Sequence, residues 1–257
     1  MLPELEPWQW GAGIAVALMV GLAKTGIPGV GILVVPLMPL VFPGRLSVGA
    51  LLPLLVFADF FAVAYYHAHA QWGHVRKLAP GLAIGMFGGT VFLWTLGQRS
   101  GRDWMNPIIG ALVLGMLGVY LLRNRLGDRW TPRHPAGVAT SGFLAGFTTL
   151  VSNAAGPVMT IYMAAFGLDK RQFMGTGAWL FLVLNLSKVP VYLALTAAMP
   201  DRPMMTIQTF AFNVAMIPAI VVGALAGKRV FERIPERWFA DAVLLLAAVA
   251  AVRLLFA

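Results

Sequence analysis

An all-α, polytopic membrane fold follows from three features of the sequence. Of its 257 residues, 59% are hydrophobic and only 11% charged, against about a quarter charged in soluble domains. The apolar residues gather in long, closely spaced runs of membrane-helix length. The short alternating segments of a transmembrane barrel do not occur. Cysteine is absent, which excludes disulfides, thiolate metal sites and cysteine nucleophiles and leaves the redox compartment undecided. The first ten residues, "MLPELEPWQW", carry Glu4 and Glu6 but no basic residue, unlike the start of a cleavable signal peptide. The net charge of +9 sits in short loops between apolar runs, so membrane topology explains it better than nucleic-acid binding.

Ten apolar segments follow in order: 8–24, 28–42, 46–68, 78–97, 104–122, 137–151, 156–166, 172–198, 206–227 and 236–256. The first runs into "GLAKTGIPGVG" (21–31), where glycine and proline interrupt it. Segments 28–42 and 156–166 contain or follow Pro and Gly and are too short to cross about 30 Å of hydrocarbon comfortably. They read as half-helices or re-entrant hairpins. Three full crossings then remain on each side of "RNRLGDRWTPRHP" (123–135), the longest polar stretch.

That stretch divides the chain into a first repeat (1–123), a basic connector (124–136) and a second repeat (137–257). "GLAKTGIPGVG" aligns without gaps to "GFTTLVSNAAG", pairing Gly21 with Gly146 and Gly31 with Gly156. "GALLPLLVFADF" aligns to "GTGAWLFLVLNL", pairing Gly49 with Gly175 and Asp59 with Asn185. The fourth segments both carry small residues at every fourth position: Gly81, Gly85 and Gly89 in one, Ala215, Ala219, Gly223 and Gly227 in the other. Such ladders let helices approach closely, either between the halves or between two protomers of a homodimer.

The loops at 69–77, 123–136, 167–171 and 228–237 fall on one side of the membrane and hold twelve of the nineteen Lys and Arg residues. The other side holds five, and Lys24 and Lys188 lie within the apolar region. The basic side is therefore expected to be cytoplasmic, with both termini facing outward. An odd number of crossings per half makes the repeats inverted. Inverted repeats with paired broken helices are a transporter signature, and the breaks point at the binding site.

At the first break stand Lys24, Thr25, Gly29 and Gly31. Open backbone within a bilayer survives only against protein or a watery cavity, and the amides at a half-helix start suit an anion. Lys24 adds a positive charge; the plainer reading is that it snorkels to the interface. At the second break stand Ser152, Asn153 and Gly156, with Ser152 and Asn153 expected to cap the half-helix near Pro157. Asp59 and Lys188 lie deep in their segments, where an isolated charge costs at least about 2.5–3.5 kcal/mol and needs a partner. Asn185 shares a helix face with Lys188. Asp59 is expected to approach Lys24 or Lys188, either as a structural ion pair or as a carboxylate for proton coupling. His67, His69 and His74 are poorly spaced for a metal and have no acidic neighbour. No nucleotide, nucleophile-elbow or zincin motif is present, so no cofactor and no enzyme activity are expected. Asp241 near the start of the last segment reads as ordinary first-turn acid.

"GLAKTGIPGVGILVVPL", "SNAAGPVMTIYM" and "FMGTGAWLFLVLNLSKVPVYL" strongly resemble the TauE/SafE family of sulfite and organosulfonate exporters, over nearly the whole chain. The resemblance implies an inner-membrane carrier with two homologous halves and a small sulfur oxyanion as cargo. It places the family motifs at Lys24 to Gly31, Ser152 to Pro157, Asn185 and Lys188. The expected function is a secondary transporter exporting a small sulfur anion by alternating access. The alternatives are an anion channel, or a non-transporting membrane subunit or assembly factor in which the buried charges only join helices.

Overall fold

A computed structural model describes residues 2–26, 30–98, 104–126, 133–231, 248–249 and 251–256. Its helices are α1 (Pro7–Thr25), α2 (Gly31–Leu37), α3 (Gly44–Tyr66), α4 (Trp72–Gln98), α5 (Met105–Leu126), α6 (Pro135–Ser152), α7 (Gly156–Ala165), α8 (Lys170–Ala198) and α9 (Ile207–Phe231). A 3-10 turn, Met38–Leu40, extends α2. Four of the helical stretches, Gly44–His69, Trp72–Gln98, Lys170–Ala198 and Ile207–Arg229, are long and apolar enough to cross a membrane. Gly29 and Asp241, and most of segment 236–256, lie outside the described residues.

Local chemistry sets the helix ends. Pro7 opens α1, where a missing N–H costs nothing. The Asp169 carboxylate caps α8, accepting from the amides of Arg171 and Gln172 at 2.9 Å each. Helix α4 starts six residues before the apolar segment 78–97, so Arg76 and Lys77 are helical and exposed rather than in a loop. Hydropathy marks the stretch that meets lipid, whereas backbone hydrogen bonding continues past it into the polar zone.

The two short helices complete hairpins. The Gln9 side chain in the first turn of α1 donates to the carbonyls of Leu40 and Val41 at 3.3 and 3.4 Å. The first hairpin therefore enters and leaves at one end of the bundle. Arg133, just before α6, donates from Nε to Ala165 O at the end of α7, at 2.9 Å. The second hairpin likewise returns to its own starting end. These ends are opposite. Helix α3 starts beside the first, where Gly44 N–H meets Asn106 Oδ1 at 3.1 Å. It runs about 33 Å to Tyr66, where the adjoining Gln71 amide donates to Thr176 Oγ1 at 2.9 Å. The half-helix reading of segments 28–42 and 156–166 takes this hairpin form.

The glycines of the small-residue ladders join the two halves of the chain, whereas Ala215 is exposed. Gly81, Gly85 and Gly89 of α4 lie against α6, and Gly223 and Gly227 of α9 lie against α1. A Cβ on Gly81 would stand 2.6 Å from Ala139 O, too close for any real contact. Each glycine-lined helix thus packs on the first helix of the other half. One apolar core holds Val20, Leu51, Leu52 and Phe212, with the Phe42 and Phe212 rings edge to face at 5.1 Å. A second surrounds Tyr162, Met159 and Leu180. Phe60, Ile84, Phe87 and Phe210 project outward, as expected of side chains facing lipid rather than water.

Candidate functional site

Both chain breaks open on one cavity, which Gly31 at the start of α2 and Gly156 at the start of α7 line together. Its polar wall is Lys24, Thr149, Asn153, Thr160 and Asn185; its apolar wall includes Leu55, Met163, Met174 and Phe181.

The end of α6 is shaped by Asn153, which adopts the left-handed conformation (φ 59°, ψ 19°). Asparagine is among the few non-glycine residues that tolerate it. There Asn153 N–H bonds Thr149 O at 3.0 Å and Ala154 N–H bonds Thr148 O at 3.2 Å, which closes the helix and satisfies carbonyls that would otherwise lack donors. Asn153 therefore ends α6 instead of capping α7. Ala155 precedes α7 and supplies no side-chain cap. Ser152 does not cap α7 either; its hydroxyl turns back to Thr148 O at 3.1 Å, buried within α6. The Asn153 amide is free for other partners. Nδ2 donates to Val48 O at 3.0 Å, which leaves Oδ1 as an acceptor for Lys188 Nζ at 2.5 Å. Lys188 also reaches Thr149 O and Thr149 Oγ1, both at 3.2 Å, and is fully buried.

Lys24 and Asp59 form an ion pair at 2.7 Å. Asp59 is wholly buried, while 15% of the Lys24 side chain is exposed, on the cavity side. Asn185 Nδ2 donates to Asp59 Oδ2 at 2.5 Å, and the Lys24 ammonium lies 4.2 Å from the centre of the Phe181 ring. The latter is a cation–π distance. Of the two lysines within reach of Asp59 in the sequence reading, the direct partner is Lys24.

The structure brings Lys24, Gly31, Asn153, Gly156 and Asn185 to the cavity wall, with Asp59 and Lys188 immediately behind it. It does not bring Thr25 or Ser152 there. The Thr25 hydroxyl faces α9, 2.7 Å from Ala224 O and 3.1 Å from Gly21 O. Three residues escaped the sequence reading. Thr149 is the counterpart of Lys24 in the gap-free alignment, which was the signal available for it. Tyr66 and Tyr192 are the others. Tyr66 OH donates to Thr25 O at 2.7 Å and Tyr192 OH to Leu150 O at 2.6 Å. The alignment of the halves pairs Tyr66 with Tyr192 and Thr25 with Leu150, so each tyrosine ties down the same point of its own broken hairpin.

An apolar exterior, membrane-length helices and charges buried around a cavity define a polytopic helical membrane protein. Residues 13–254 match the family model described as Sulfite exporter TauE/SafE. The chain belongs to that family, one of membrane transporters. No curated protein and no solved structure matches it.

Proposed function

We infer that the protein is a secondary carrier exporting a small sulfur-bearing anion by alternating access between two inverted repeats. The observation that carries this reading is the meeting of two oppositely entering broken hairpins at one cavity, where Lys24 is the only charged lining group among the described residues. Broken helices leave amides without intrahelical acceptors, and Gly156, the first residue of α7, lines the cavity with Asn153. Lys24, Asn153 and Asn185 would contact the anion, and Lys188 would act on it through Asn153 and Thr149. Asp59 balances charge or carries a coupling proton.

Repeat symmetry supports the same reading. Asp59 touches Asn185, its counterpart in the other half, as two equivalent residues do only at a two-fold axis. Helix α1 packs on α9 as α6 packs on α4. The tyrosine ties repeat as well. Arg133, Lys170, Arg171 and Lys228 lie at the end where the second hairpin enters, and the positive-inside rule supports a cytoplasmic orientation of that end. A membrane potential negative inside then favours efflux by about 2.3 kcal/mol per charge per 100 mV.

The test is counterflow in proteoliposomes loaded with unlabelled sulfite or alkanesulfonate. Trans-acceleration of labelled anion uptake is expected of a carrier, and Lys188→Ala should abolish it while the protein still elutes as a folded monodisperse species. Flux without saturation or trans-acceleration would favour the channel alternative. Wild-type rates in Lys188→Ala would remove that lysine from the site.

A further inference from the structure

We propose that the cavity selects an anion bearing one negative charge and a compact apolar body, and rejects doubly charged oxyanions such as sulfate. This specifies the cargo of the carrier proposed above and rests on that reading.

Charges around the cavity do not pair one to one. The Lys24 ammonium is matched by the Asp59 carboxylate at 2.7 Å. Lys188 has no such match, since among the described residues no carboxylate stands within ion-pair distance of it. Its three neighbours, Thr149 O, Thr149 Oγ1 and Asn153 Oδ1, are neutral oxygens. The Asn153 amide cannot turn its NH₂ toward the lysine without losing Val48 O. Three acceptors match the three N–H bonds of an ammonium. With Lys188 held as an ammonium by these three oxygens, two cations and one anion leave a surplus of one positive charge.

Lys188 has no exposed surface, and Thr149 and Asn153, which hold it, both line the cavity. An anion seated there lies one side chain from the unmatched ammonium. A single negative charge cancels the surplus. A double charge leaves one negative charge buried without a partner, and the cost of removing an ion from water rises with the square of its charge, about fourfold for a dianion. The remaining wall makes the same choice. Leu55, Met163, Met174 and Phe181 suit a methyl or alkyl body and offer no donor to a second polar end.

Methanesulfonate and sulfate share size and tetrahedral shape but differ by one charge. Isothermal titration of the detergent-purified full-length protein at matched ionic strength should show methanesulfonate binding at least about 100-fold tighter than sulfate. Asp59→Asn raises the fixed charge by one and should improve sulfate binding at least about tenfold. Where that variant does not fold, the wild-type comparison decides. Sulfate binding within about threefold of methanesulfonate, with counterflow intact, overturns the charge rule and leaves the carrier reading standing. If neither anion binds and counterflow is absent, both fall.

Discussion

Replacing Lys24 with Met should strand the carboxylate of Asp59. At 2.7 Å and an effective dielectric constant of about 20, the pair attracts by about 6 kcal/mol, and desolvation of both groups offsets much of this. Removing one member of a buried pair costs about 3–5 kcal/mol. The lower end applies here, because Asn185 still donates to Asp59 at 2.5 Å. Asp59→Leu should cost less, about 1–2 kcal/mol, since Lys24 is already 15% exposed and can turn into the cavity toward water. The double variant removes both charges and should lie close to Asp59→Leu. The resulting coupling energy is therefore about 3 kcal/mol, the cost of Lys24→Met alone. Reversible unfolding in mixed micelles with increasing sodium dodecyl sulfate measures all four corners of this cycle. A coupling energy below about 0.5 kcal/mol would refute the reasoning, since the contact would then hold no more than a surface ion pair.

Two further outcomes follow from where individual side chains point. Thr25→Val removes a hydroxyl that bonds α9 rather than the cavity, so it should lower stability in the same unfolding assay by about 1 kcal/mol and leave anion affinity unchanged; a large loss of affinity at constant stability would return Thr25 to the site. Gly177 lines the cavity, and a Cβ there would meet Met163 Cε at an ordinary 3.6 Å. In this naturally cysteine-free chain, Gly177→Cys should therefore fold, react with a thiol reagent and be protected by bound anion; labelling unaffected by any transported anion would place the site elsewhere.

Much of the architecture was legible before any coordinates. Composition and segment length required helices in a bilayer, since no other open structure satisfies its backbone hydrogen bonds there. Glycine and proline marked the two breaks. Alignment of the halves made Asp59 the counterpart of Asn185, and burial cost required partners for Lys24, Asp59 and Lys188. Asn153 was singled out correctly as a residue of the break but for another reason, because a cap at the start of α7 and a left-handed close of α6 call for the same residue type.

Tertiary structure decided what pairing and direction alone determine. Sequence does not say which lysine meets Asp59, because both candidates sit at suitable depth and only the crossing of α1, α3 and α8 brings one of them to 2.7 Å. Nor does it say that Thr25 turns its hydroxyl to Ala224, 199 positions away, while its neighbour Lys24 faces the cavity. Hydropathy and spacing report how deep a residue lies along its own helix. Which neighbour it meets depends on how ladders such as Gly81–Gly85–Gly89 let helices from different halves close to backbone contact, and that arrangement leaves Lys188 among neutral oxygens.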